Sequence, residues 1–230
     1  MENKRINLRM VAAVAKGLQE LRSKMVFVGG AVISLYTDDP AADEVRPTSD
    51  IDMTIQLTGF SEWSNIQKRF AELGFNPDPG GHAICSYRYK TISIDIMPAE
   101  DGPIGPANSW YKPGFSFLQE VSAEDEIIQI LSAPYFLATK FEAFHARGGD
   151  YRTSYDFEDI VYVVDNRIGI VAEILNADQK VRTFLKEEFK KIVTSSNTEE
   201  IIRAQIHPFI VDERYPIVSD KINQIISSIS

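Results

Sequence analysis

The stretch Asp50–Leu57, "DIDMTIQL", constrains this chain more than any other. Ile51, Met53, Ile55 and Leu57 recur at every second position, the period of a strand with one buried face. The opposite face opens with Asp50 and Asp52. Side chains two residues apart on a strand point the same way, about 7 Å apart along the backbone, so two like charges share one face. That costs free energy unless something positive lies between them. A second stretch, Thr91–Met97 ("TISIDIM"), repeats the design with one carboxylate: Ile92, Ile94 and Ile96 face inward and Asp95 outward. If the two strands are neighbours in one sheet, three carboxylates converge on one patch. Alone, either feature reads first as a solvated polar face. Together they make an oxygen-only ligand set of the kind that suits Mg²⁺.

The flanking sequence supplies a sheet and its helices. Met10, Val14, Leu18 and Leu21 recur at helical spacing, predicting a helix over Asn7–Ser23. "MVFVGG" (Met25–Gly30) reads as a short strand closed by two glycines, and "AVISLY" resumes as a helix. Glycines at a strand-to-helix turn let phosphates approach the backbone and the free N–H groups of the helix start, although such pairs also occur for steric reasons alone. "TDDPAADEVRPTS" is a polar loop. "SEWSNIQKRFAELGF" predicts a helix capped by Ser61 and stopped at Gly74, "NPDPGGH" a turn, and Ala83–Tyr89 a strand preceding the Asp95 strand.

Beyond Pro98 the pattern changes. "DGPIGPANSWYKPGF" is irregular. "SAPYFLATKFEAFHARGG" predicts a helix with Pro134 in its first turn and Gly148–Gly149 at its end, and another helix follows Ser154. The remaining segments "VRTFLKEEFKKIV", "TEEIIRAQI" and "YPIVSDKINQIISSI" are helical by period, with Val181, Leu185, Phe189 and Ile192 as an apolar stripe. The expected organisation is an α+β module over residues 1–105 and a mainly helical module over residues 106–230, with the joint within residues 101–114.

Composition excludes several classes. In 230 residues, 44% are hydrophobic and 25% charged, ordinary values for a globular chain with a core. No apolar run is long enough to cross a bilayer, and the N-terminal stretch is broken by charges unlike a secretory signal. One cysteine, Cys85, leaves no disulfide framework and no thiolate zinc site; the expected compartment is the cytoplasm. A net charge of −9 argues against a broad nucleic-acid surface but not against a local basic groove or an acidic metal site.

"FVGGAVISLY", "RPTSDIDMTI" and "ISIDIM" together resemble the catalytic core of the polymerase-β-like nucleotidyltransferase superfamily. "SAPYFLATKFEAFHARGGDYRTSYDFEDIVYVVDNR" is similar to the helical half of its abortive-infection toxin branch (AbiEii/AbiGii type), with a lysine in a K-h-x-A helix followed by a D-x-x-D-h helix. The resemblance spans Phe27–Arg167. It implies a mixed β-sheet flanked by helices, a helical C-terminal module, and an active site in the cleft between them. It implies that Asp50, Asp52 and Asp95 hold two Mg²⁺ ions and that Asp95 helps deprotonate an acceptor hydroxyl. Gly29 and Gly30 would cradle NTP phosphates, with Arg46, Ser49 and Lys140 also binding the nucleotide. Asp156 and Asp159 would match the second acidic motif, Asp156 with a catalytic role. The implied activity is transfer of a nucleoside monophosphate from an NTP, with an RNA or tRNA end as first acceptor and a small molecule or protein side chain as others. The turn is Gly-Gly where the family also uses Gly-Ser, so one phosphate-binding hydroxyl is missing.

Other readings remain open. The chain could bind a nucleotide without catalysis, or act as a toxin held by a partner antitoxin protein. Asp156, Glu158 and Asp159 follow Ser154 at a helix start, where acids also suit the macrodipole. Arg147 is a substrate contact or a helix-terminal cation. His82, His145 and His207 lack partners at metal-ligand spacing and read as surface residues. Trp110, Tyr111, Phe115 and Phe117 either stack on a base or pack between modules.

Overall fold

The computed structural model describes residues 2–81, 85–102 and 105–227. Among them the chain divides into two compact units, Met1–Leu35 with Glu44–Ser132, and Tyr36–Asp43 with Ala133–Ser230.

The first unit is built on one seven-stranded mixed sheet. Its strands are β1 (Met25–Val28), β2 (Asp50–Ile55), β3 (Phe75–Pro77), β4 (Ser86–Tyr89), β5 (Ile92–Pro98), β6 (Leu118–Ala123) and β7 (Glu126–Leu131), in the order β3-β4-β5-β2-β1-β7-β6. β2 and β5 are parallel neighbours and β1 pairs antiparallel with β2. Most of the inward residues read from the sequence form the core: Ile51, Met53, Ile55 and Ile94 are fully buried and Ile96 nearly so, whereas Leu57, beyond the end of β2, and Ile92, at the start of β5, are only partly buried. The hairpin β6–β7 was not legible as strands, and it joins the first unit through parallel pairing of β7 with β1. Residues 106–132 therefore belong with the sheet and not with the helical part. The physical reason is that β1, without that hairpin, would leave its backbone groups unpaired on one side.

Helix α1 (Glu2–Leu18) packs over β6 and β7, burying Val11, Val14, Ala15 and Leu18. It stops earlier than its periodicity suggests, because Gln19 takes a left-handed φ of 50° and a 3₁₀ segment runs to Lys24. "AVISLY" likewise forms a 3₁₀ helix, Gly30–Tyr36. Helix α2 (Phe60–Glu72) buries Trp63, Ile66 and Phe70, with Trp63 and Phe70 edge-on to Tyr87 of β4. Its N-cap is Gly59, not Ser61, so the cap position offers no side-chain hydrogen bond. Glu62 does the work instead: its Oε2 accepts from Thr58 N and Oγ1 at 2.9 and 2.8 Å, and its Oε1 from Lys24 Nζ at 2.6 Å. "NP" after Phe75 is strand where a turn was expected, since β3 pairs with β4. The expected strand start at Ala83, and His82, lie outside the described residues. The short helix α3 (Tyr111–Gly114) buries Trp110 and Tyr111, and the Tyr111 hydroxyl lies 3.7 Å from the Met97 sulfur. Phe117 is half-exposed.

The second unit comprises α4 (Ala133–Arg147), α5 (Tyr155–Asn166), α6 (Ile170–Leu175), α7 (Gln179–Val193), α8 (Thr198–Arg203) and α9 (Val211–Ser227). Ser154 caps α5 by accepting from Phe157 N at 3.3 Å. The α7 stripe is buried as its spacing predicts, and Phe189 meets Phe141 edge-on at 5.3 Å. Helix α9 begins at Val211, so Pro216 lies inside it; Asp212 and Glu213 in its first turn favour that earlier start. The acidic loop also belongs here. Asp38 N and Asp39 N both donate to Asn166 O at 3.1 Å, Ile168 N donates to Asp38 Oδ1 at 2.7 Å, and Arg214 Nη2 donates to Asp39 Oδ2 at 2.9 Å. No helix among the described residues is long and apolar enough to cross a membrane.

The bonds to Lys24 and Thr58 hold the Glu62 carboxyl down at about 2, against an ordinary 4.5. A depressed carboxylate stabilises the fold fully above its unfolded pKa and loses that contribution as pH falls through the folded one. The melting advantage of wild type over Glu62→Gln should be constant above pH 4.5 and vanish as pH drops to about 2. A pH-independent difference would contradict this.

Candidate active site

Register builds the site. In the parallel β2–β5 ladder Asp52 pairs with Asp95 and Asp50 with Ser93, while on the other side Asp52 pairs with Val28 at the end of β1. All three carboxylates thus lie on the sheet face opposite Ile51, Met53 and Ile94. One oxygen from each of Asp50, Asp52 and Asp95 falls within 4.8 Å of the others, and all three residues are partly exposed. This answers the repulsion seen in the sequence: three half-buried carboxylates at this separation fit a hard cation with oxygen ligands.

Two hydroxyls hold the outer carboxylates, and neither was expected. Thr48 Oγ1 donates to Asp50 Oδ1 at 3.0 Å, and Ser86 Oγ donates to Asp95 Oδ1 at 2.5 Å. Ser86 could have been found from its phase, since Tyr87 and Tyr89 face the core and leave Ser86 on the acid side. Only the register shows that it stands opposite Asp95.

The glycine turn adjoins the acids directly. Gly29 has φ +74°, and a Cβ there would fall 2.0 Å from Asp52 Oδ2; conformation and space both demand glycine. A Cβ at Gly30 would fall 2.8 Å from Arg46 Nη2, so the Arg46 guanidinium lies against the same turn. Asn7, fully buried, fixes the Arg46 backbone by donating Nδ2 to its carbonyl at 3.2 Å. Ser49 is exposed beside Asp50. The first unit therefore gathers Gly29, Gly30, Arg46, Ser49, Asp50, Asp52 and Asp95 at the end of β1 and the start of β2.

Lys140, Asp156 and Asp159 form a separate cluster within the helical unit. Lys140 Nζ lies 3.2 Å from Asp156 Oδ1 and 2.6 Å from Asp159 Oδ2. The three side chains are only 9%, 4% and 1% exposed. Arg147 also pairs with Asp156, which gives the helix-terminal cation a carboxylate partner. His145 Nε2 meets the buried Glu188 at 2.7 Å, and His207 lies 3.8 Å from Asp43. Cys85 is buried, and burial pushes its thiol pKa up, the opposite of a reactive thiolate.

Gly29→Ala should cost about 1–3 kcal/mol from the left-handed backbone alone and, by displacing Asp52, abolish divalent-cation binding; calorimetry on the folded variant checks both. Lys140→Met leaves two buried carboxylates without their shared ammonium and should destabilise the protein by about 3–5 kcal/mol in urea unfolding. Adding Asp159→Asn should recover part of that loss.

The nucleotidyl transferase AbiEii toxin family, type IV toxin–antitoxin system, matches residues 14–228 of the chain. No curated protein matches it. Among solved structures, an antigenic nucleotidyltransferase-like protein from Paracoccidioides brasiliensis aligns with a TM-score of 0.50 at 18% identity. The alignment covers 90% of this chain and 96% of that one, a likeness of fold. With a family match over nearly its whole length and the acidic cluster on a mixed sheet, the chain belongs to the AbiEii family of nucleotidyltransferase toxins.

Proposed function

We propose that the protein uses Mg²⁺ held by Asp50, Asp52 and Asp95 to transfer a nucleoside monophosphate from an NTP to a hydroxyl of an RNA end. The observation that carries this reading is the convergence of three carboxylate oxygens within 4.8 Å beside a glycine turn. When bound, the cation neutralises phosphate charge and makes the acceptor hydroxyl easier to deprotonate.

The chain's own residues do the rest. The Gly29–Gly30 backbone admits the β and γ phosphates, and Arg46 offers them a planar cation from the same turn, with Ser49 at its edge. Lys140 and Asp156, for which the resemblance implies a nucleotide-binding and a catalytic role, pair with each other inside the helical unit. Asp95 takes the proton from the acceptor hydroxyl. The new bond joins the acceptor oxygen to the α-phosphorus, the bond from that phosphorus to the bridging oxygen breaks, and pyrophosphate leaves with the electron pair. An antitoxin protein of the same system is the partner that counteracts this activity.

The net charge of −9 favours a second acceptor class, a small hydroxylated molecule or protein side chain, because RNA binding ordinarily draws on lysine and arginine. The test is to incubate the protein with each labelled NTP, Mg²⁺ and total small RNA, beside an Asp50→Asn/Asp52→Asn double variant. Label entering RNA with wild type alone is the expected result. Mg²⁺-dependent NTP binding without transfer, lost in the double variant, shifts the reading to another acceptor. Neither transfer nor binding overturns it in favour of a non-catalytic module.

A further inference from the structure

We infer that Ser86 is the positioning residue for Asp95, setting the carboxylate's orientation so that the three-acid cluster can close on a divalent cation. The inference rests on the metal-site reading above and adds a residue to it.

An aspartate on a strand has a nearly free terminal torsion, since rotation about the bond to its carboxylate is broad and weakly preferred. Three carboxylates that repel one another would use that freedom to turn apart. Asp50 is restrained by Thr48 Oγ1, and Asp52 is confined by the Gly29 turn, where a Cβ would already collide with Oδ2. Asp95 gets its restraint from across the sheet. Ser86 stands opposite it in the antiparallel β4–β5 ladder, and its hydroxyl donates to Oδ1 at 2.5 Å. A charge-assisted bond of this kind is roughly twice as strong as a neutral one.

Ser86 is itself held. It is one of the few buried polar residues of the sheet, at 6% exposure. The turn before it folds back onto it: Asp78 N donates to Ser86 O at 2.9 Å and Gly81 N donates to Asp78 O at 3.0 Å. Gly81 then lies so close that a Cβ would sit 2.2 Å from Ser86 Cβ and 2.4 Å from its Oγ. Arg88, two residues along the same strand face, anchors the turn through Asp78 at 2.8 Å. The turn, the strand and the hydroxyl form one chain of restraints that ends on Asp95. Ser86 touches neither substrate nor cation in this scheme; it acts through Asp95 alone.

The experiment is Mn²⁺ titration by calorimetry without nucleotide, alongside melting temperature and steady-state kinetics, on full-length Ser86→Ala. Groups that orient metal ligands typically contribute 10–100-fold in metal affinity or activity. The expected result is Mn²⁺ affinity weakened at least about tenfold, with kcat lowered, KM for the NTP little changed and the melting temperature retained. If Ser86→Ala does not fold, Gly81→Ala carries the same test, since it displaces Ser86 while keeping the hydroxyl. Mn²⁺ affinity and kcat equal to wild type in a folded variant overturn the proposal. An Asp95→Asn control must lose Mn²⁺ binding. A wild-type protein that binds no Mn²⁺ overturns the metal-site reading itself, and this proposal with it, an outcome distinct from a silent Ser86→Ala.

Discussion

The parallel pairing of β2 with β5, in the register that sets Asp52 beside Asp95, is the constraint on which the rest of the site depends. Side chains alternate across a strand, so a slip of one residue would carry Asp95 to the buried face and bring Ile94 or Ile96 out among the acids. The hydrophobic pattern forbids that slip, because Ile51, Met53, Ile94 and the Tyr87 ring must all reach the side where Trp63 and Phe70 lie. The core therefore enforces the chemistry: burying the isoleucines and gathering the carboxylates are one event. The cost of gathering like charges falls on a sheet whose apolar face is well filled.

Polar groups in the first unit are spent around that cluster. The glycine turn fits because Gly29 can take a positive φ and leave room for Asp52. Arg46 lies against the turn while its own backbone is tied to Asn7 of α1. Thr48 and Ser86 restrain the outer acids. None of these contacts is large energetically. Their value is to remove conformational freedom before a ligand arrives, which is how a site gains affinity without adding contacts.

The helical unit handles charge differently. Lys140 is buried between Asp156 and Asp159, and Arg214 is bound by Asp165 and Asp39. Burial raises the pKa of Asp165, with Arg214 opposing that rise. Such pairs are costly to desolvate and more costly to break, so they specify arrangement more than they add stability. The loop at Tyr36–Asp43 shows the consequence. Read as a string, "TDDPAAD" is a solvated linker; in the fold, its acids accept from Arg214 and from the backbone N–H of Ile168.

The sequence by itself determined the α+β class, the faces of β2 and β5, the three carboxylates, the glycine turn, and the helices α4, α5 and α7. Each follows from local periodicity or from a residue whose conformation is special, and periodicity survives in one dimension. Only the tertiary structure decided what depends on pairing between distant segments. The β6–β7 hairpin joins the sheet because β1 needs a neighbour, Ser86 meets Asp95 because β4 lies beside β5, and Lys140 meets Asp156 and Asp159 because α4 packs against α5. A residue's partners across a sheet or between helices are set by register and packing, and no local pattern encodes them.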